Sequence, residues 1–322
     1  MPPHGKFKAL KKFIATGLCV LLAAPAAVLF AQKPEGPATF TADTRLVVLH
    51  ATVVDKKNGR LITTLPQSAF QVYENGVQQR LKIFKREDIP VSLGLVIDNS
   101  GSMRDKRAKV AAAAEDLVKD SNPDDEEFVV NFNDDAYLDT PDFTSNIKVL
   151  EQALTKIDSR GGTAMRDAIR MSIDHMKAKA KKDKKVILVV TDGNDNASAI
   201  GLENLVRAAQ QSEVIIYAIG LLSEEERREA KRAKRALDAL TEATGGQAYY
   251  PKELADVDRI AHQVAHDIRN QYTLAYTPTN QALDGSFRQI RVTASGPGHP
   301  QVRTRTGYYA TPELANAKSG GS

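Results

Sequence analysis

The chain has 322 residues, 42% hydrophobic and 26% charged, with 44 Lys and Arg against 40 Asp and Glu. These are ordinary globular values, enough for two domains or one large one with a sizeable core. With no tryptophan and only 6% aromatic residues, an aromatic carbohydrate platform has no support.

Residues 1–31 stand apart. Lys6, Lys8, Lys11 and Lys12 form a basic head, Phe13 to Phe30 is apolar, and Pro25, Ala26 and Ala31 are the small or turn-forming residues of a cleavage region. This pattern predicts a secretory signal peptide cut after Ala31 or Ala26. The alternative is an uncleaved membrane anchor, for which ~18 apolar residues is close to the minimum span. Leu18 before Cys19 is a poor fit to a lipidation site. Cleavage would remove four lysines and no acids, leaving the mature chain formally neutral. The basic precursor pI is therefore not a nucleic-acid signature, which needs a basic face on the folded domain. Cys19, the only cysteine, leaves with the segment, so the mature protein has no disulfide or thiol chemistry.

Residues 32–38 read as a Pro/Gly linker, and residues 39–89 as a β-rich block. Arg45 to Asp55 predicts a strand, and Asn58-Gly59 a tight turn. Phe70 to Tyr73, the turn Glu74-Asn75-Gly76 and the alternating stretch Val77 to Lys85 predict a hairpin. Residues 90–270 alternate strand and helix. Strands are expected at Val91–Ile97, Glu127–Phe132, Lys185–Thr191, Val214–Gly220 and Gln247–Tyr250, with Ala136–Asp139 as a short antiparallel edge. Helices are expected at Arg104–Asp120, Ile147–Ile157, Thr163–Lys181, Leu202–Gln211, Ser223–Thr244 and Ala255–Arg269. The strands lack polar alternation and should be buried on both faces of a doubly wound, mostly parallel α/β sheet. Residues 271–310 return to β texture, with strands at Tyr272–Tyr276, Phe287–Ala294 and Gln301–Tyr309. About three strands are thin for an independent sheet. We therefore expect the two β segments to combine into one β-sandwich with the α/β domain inserted between them, and residues 311–322 to form a disordered tail.

The chemistry concentrates at three loops. Asp98-Asn99-Ser100-Gly101-Ser102 follows the first apolar strand, at the rim where parallel sheets bind ligands. Two serines at alternate positions can point the same way as Asp98, and a carboxylate with hydroxyls suits a hard cation such as Mg²⁺. Thr191-Asp192-Gly193 ends another apolar strand. With strand order 3-2-1-4-5-6 these two strands are neighbours at the point where winding reverses, so Asp98 and Asp192 should converge. Gly161-Gly162-Thr163 offers a close-approaching loop and a third hydroxyl. Each piece alone reads as a turn, and Ser102 alone as a helix cap; the combination points to a metal site.

In this order and on these elements, Asp-x-Ser-x-Ser, Gly-Gly-Thr and Thr-Asp-Gly resemble the von Willebrand factor A domain and its metal-ion-dependent adhesion site, over about residues 90–270. The resemblance implies that Ser100, Ser102 and Thr163 bind the ion through hydroxyls, and that Asp98 and Asp192 act directly or through water. Mg²⁺, or Mn²⁺ or Ca²⁺ in its place, would then receive a carboxylate from a protein or other ligand. Phe70 to Gly76, Phe287 to Val292 and Thr306 to Tyr309 are similar to the flanks of a bacterial von Willebrand A-related group. In relatives, ligation can shift the last helix, here Ala255–Arg269.

Other patterns carry less. His262 and His266 are four apart, but Gln263 stands where a zinc protease needs its glutamate, so a helix face with two histidines is expected. Asn131, Asn133, Asp134 and Asp135 lack EF-hand spacing and read as a solvated loop near the rim. Lys177–Lys185 and Glu224–Arg235 read as solvated charged faces. No phosphate-binding glycine motif and no nucleophile elbow occurs, so neither nucleotide nor nucleic acid is expected as a partner. The leading reading is a non-enzymatic, metal-dependent adhesion module that is periplasmic, cell-envelope or secreted, touching membrane only through an uncleaved N-terminus. The alternatives are a Mg²⁺-dependent phosphoryl hydrolase, disfavoured because Ser100 stands two residues after Asp98 where a second aspartate is needed, and a structural subunit of an envelope assembly.

Overall fold

The structure, a computed structural model, describes residues 45–156, 158–223 and 227–312. The expected signal peptide, Cys19, the linker and the tail beyond Pro312 lie outside the described residues.

The first block contributes four strands: β1 (Val47–Asp55), β2 (Phe70–Glu74), β3 (Val77–Gln79) and β4 (Leu81–Lys85). Asn75 and Gly76, at φ 48° and 81°, make the tight β2–β3 turn that places Glu74 opposite Val77. The α/β part follows with β5 (Val91–Asp98), α1 (Arg107–Lys119), β6 (Glu126–Phe132), β7 (Ala136–Leu138), α2 (Ile147–Leu154), α3 (Met165–Lys179), β8 (Lys184–Thr191), α4 (Leu202–Ser212), β9 (Ile215–Gly220), α5 (Arg227–Thr244), β10 (Ala248–Tyr249) and α6 (Asp256–Arg269). The chain closes with β11 (Tyr272–Tyr276), β12 (Phe287–Ala294), β13 (Pro300–Arg303) and β14 (Gly307–Tyr309).

The central sheet runs β10-β9-β8-β5-β6-β7, parallel except for β7 at one edge. Its strands are apolar all along because both faces are covered. Leu93, Leu95, Ile97, Leu188 and Val190 pack under α1, α2 and α6. Val96, Val130, Ile187 and Val189 pack under α3, α4 and α5. Each such side chain contributes about 1.5–3 kcal/mol through burial. β5 and β8 are neighbours in register Leu95 to Leu188, so the winding reverses between them, as the strand-order argument expects.

The flanking segments form two four-stranded sheets, β13-β1-β11-β4 and β14-β12-β2-β3. Leu49, Val53, Leu274 and Tyr276 of one pack against Phe70, Val72, Ile290 and Tyr308 of the other, making the expected sandwich. At its centre Tyr276 and Tyr308 both donate to Glu74 Oε2, at 2.8 and 2.9 Å.

Two expected strands are each two strands in different sheets. Val77–Lys85 divides at Arg80, with β3 pairing β2 and β4 pairing β11. Gln301–Tyr309 divides at residues 304–306, with β13 pairing β1 and β14 pairing β12. Both are corners where the chain changes sheet; past the first, the β4–β11 register shifts between Ile83 and Leu81, so that Leu81 and Phe84 both pack on the sandwich core. Among the described residues no helix is long and apolar enough to cross a membrane.

Candidate metal centre

Asp98 is the last residue of β5 and is fully buried. Its Oδ1 accepts the Ser100 backbone N–H at 2.8 Å, which folds the following loop back over the carboxylate. Its Oδ2 accepts the Thr191 hydroxyl from β8 at 2.6 Å. A 3-10 turn over Gly101–Met103 then intervenes, and α1 begins at Arg107 rather than at Arg104. Ser102 therefore caps no α-helix. Its hydroxyl donates instead to Asp192 Oδ1 at 2.8 Å and lies 3.1 Å from the Ser100 hydroxyl. The buried Met103 side chain pins the turn.

The third loop closes from the other face. Gly101 N–H bonds Gly161 O at 3.2 Å, and Arg160 N–H bonds Asn99 O at 3.2 Å. Gly161 has φ +71°, and a Cβ there would run into the Asp134 carboxylate, so only glycine suits this close approach. Asp134 Oδ1 accepts Gly162 N–H at 2.6 Å. Thr163 is held by Asn196, whose Oδ1 accepts its N–H at 2.8 Å, and its hydroxyl faces Gly193, one residue beyond Asp192. Asp98, Ser100, Ser102, Thr163 and Asp192 are thus brought together at the ends of β5 and β8.

The scaffold beneath uses residues that the sequence reading passed over. Asn99 points away from Asp98. Its Oδ1 accepts Arg107 Nε at 3.0 Å, while Arg107 Nη2 donates to Asn131 Oδ1 and Leu154 O, both at 2.8 Å. Arg107 is fully buried, and desolvation pushes its guanidinium down to about 10, against the pull of Asp98 and Asp139. Asn131 and Asn133 are buried too, a correction to the solvated loop expected there; Asp134 and Asp135 are exposed. The reason is that Asn131 bonds Arg107 while Asn133 O takes the Ala164 N–H at 2.6 Å. Lys106 sets its ammonium against Asp192 Oδ2, and no sequence motif announced it.

Burial pushes the Asp98 carboxyl up to about 6, beyond what its hydrogen bonds to Ser100 and Thr191 recover, and nearby Asp192 adds to the rise. A buried carboxylate of this kind is stabilised by a cation. Among the described residues no three His, Cys, Asp or Glu side chains converge, so hydroxyls must complete any ligand set here. Two carboxylates and three hydroxyls fit a hard oxygen-seeking dication, which would supply an electrophilic coordination position at the rim.

The family model described as the von Willebrand factor type A domain matches residues 93–194, the span from β5 to the Asp192 loop. The chain carries a von Willebrand factor type A domain. A curated relative is inter-alpha-trypsin inhibitor heavy chain H4 of Bos taurus, 27% identical over 149 residues, covering 41% of this chain and 16% of that protein. The chain with its A domain thus spans about a sixth of that relative's length. Similar solved structures include a von Willebrand factor type A protein from Catenulispora acidiphila, at 13% identity and TM-score 0.47, covering 78% of this chain and 76% of that one. Another is proximal thread matrix protein 1 from the mussel byssus, with a zinc-occupied metal-ion-dependent adhesion site, at 18% identity and TM-score 0.48, covering 61% and 50%. The five side chains named above all fall within the matched span.

Proposed function

We propose that this chain is an exported, non-enzymatic binding protein. In this reading Asp98, Ser100, Ser102, Thr163 and Asp192 hold a divalent cation that receives a carboxylate from a protein or other acidic ligand. The observation that carries it is the convergence of three chain-distant loops: Ser102 on Asp192 at 2.8 Å and Thr191 on Asp98 at 2.6 Å, with Thr163 alongside Gly193. The all-oxygen donor set favours Mg²⁺, with Mn²⁺ or Ca²⁺ as substitutes. Only two carboxylates approach the ion, so it keeps appetite for a third from outside. The Ser100 and Ser102 hydroxyls lie 3.1 Å apart, a spacing that suits two neighbouring ligands of one ion. The basic head and apolar run of residues 1–31 support export to the envelope or beyond.

Two measurements test the reading together. Calorimetric titration of the purified chain with Mg²⁺ should give one site, lost in Asp98→Ala. Capture from envelope extract should succeed with Mg²⁺ and fail with EDTA or with Asp192→Ala. Capture that survives both would sink the proposal.

A further inference from the structure

We propose that Lys106 is a built-in counter-charge of the metal site: it loosens the hold on the cation and strengthens the cation's attraction for an acidic ligand. This rests on the metal reading above. Lys106 is the residue from which α1 starts, fixed by its N–H to Met103 O at 2.9 Å and by Val110 N–H to its own carbonyl at 3.1 Å. From there its side chain reaches the Asp192 carboxylate, which is only 1% exposed, while the Lys106 side chain remains 31% exposed towards solvent. Ser102 takes the other Asp192 oxygen. Both oxygens of Asp192 are thereby engaged by this chain's own donors.

The consequence is a matter of charge. Asp98 and Asp192 together balance a dication, so what draws an outside carboxylate is the open coordination position, with no net positive charge behind it. The Lys106 ammonium restores one positive charge beside a buried carboxylate, where screening by water is weak. It competes with the ion for Asp192, so ion affinity falls. It also leaves the occupied crevice net positive, so a carboxylate arriving at the rim meets a stronger field. One side chain therefore moves the two affinities in opposite directions. Loss of packing would instead weaken both.

The test uses the full chain, with Lys106→Gln to remove the charge and Lys106→Arg to keep it. Mg²⁺ affinity is read by calorimetry, and acid binding by titrating poly-L-glutamate onto Mg²⁺-saturated protein. For Lys106→Gln we expect about tenfold tighter Mg²⁺ and about tenfold weaker poly-L-glutamate, with both restored by Lys106→Arg. If wild-type protein shows a Mg²⁺ isotherm and Lys106→Gln leaves it unchanged or weakens it, the counter-charge role is wrong while the metal site stands. Unchanged poly-L-glutamate binding in Lys106→Gln would equally overturn it. If wild-type protein gives no Mg²⁺ signal, the metal reading itself fails and takes this inference with it.

Discussion

The Thr191 hydroxyl donates to Asp98 Oδ2 across the β5–β8 seam at 2.6 Å, so the two central strands are tied by side chains where their ladder ends. The bond helps to hold the Asp98 carboxylate in place and offsets part of its desolvation. Thr191→Val keeps the shape and removes the donor. We expect it to cost about 1–2 kcal/mol in urea unfolding and to weaken Mg²⁺ binding, because Asp98 loses one of the contacts that hold it ionised. Wild-type Mg²⁺ affinity in this variant would show that the seam bond is irrelevant to the site.

Acid should act on the site through Asp98. Its carboxyl titrates near 6 in the folded chain and near 3.8 when exposed. The folded state therefore holds this proton more tightly than the unfolded state. Without divalent cation, the stabilisation from protonated Asp98 is fully present below pH 3.8 and lost as pH rises through 6, a difference of about 3 kcal/mol. With Mg²⁺ the sign reverses, because the ion needs the ionised form. Between pH 7 and pH 5 this group should raise the melting temperature in EDTA and shrink the increment that Mg²⁺ provides. Equal Mg²⁺ increments at pH 5 and pH 7 would contradict the assignment.

Arg107 is a buried cation that, among the described residues, has no direct carboxylate partner, and it fastens Asn99, Asn131 and the end of α2 beneath the metal loops. Arg107→Met conserves much of the volume but orphans the Asn99 and Asn131 acceptors. We expect a loss of about 1–3 kcal/mol, the cost of leaving buried acceptors unsatisfied. Chemical denaturation with two probes would measure it; a loss below about 1 kcal/mol would mean that the network adds little.

Gly161 and Gly59 separate backbone strain from site geometry. Both have positive φ, 71° and 69°, yet an added Cβ meets Asp134 at the first and open space at the second. Each alanine substitution should cost about 1–2 kcal/mol for the left-handed backbone. Only Gly161→Ala should also weaken Mg²⁺, several-fold, by pushing Asp134 off Gly162 and loosening Thr163. Identical Mg²⁺ isotherms for the two variants would refute that link.

Much of this arrangement is legible in the sequence, for reasons that also explain the gaps. Apolar strands such as Leu93–Ile97 and Val186–Val190 announce two covered faces, and Asp98 and Asp192 mark where they end. The sheet changes at Arg80 and at residues 304–306 are hidden, because a run of strand-forming residues does not say which strand each part of it pairs with. Arg107 and Lys106 were hidden within a charged helix start, where a basic residue is ordinarily solvated; only the three-dimensional neighbours distinguish them. Thr191 sat in a recognised motif, but its partner lies 93 positions away.

Lys85 and Thr273 pair across β4 and β11, so the backbone leaves the sandwich for the α/β part and returns to it on adjacent strands. The intervening stretch therefore enters and leaves through one pair of neighbouring strands, and it is held against the sandwich by further bonds, among them Arg303 to Asp267, Arg305 to Glu213 and the Thr306 N–H to Ala243 O. A short turn joining those two strands would excise it and leave both sandwich sheets their full complement, and a different module with closely spaced ends could be spliced in its stead.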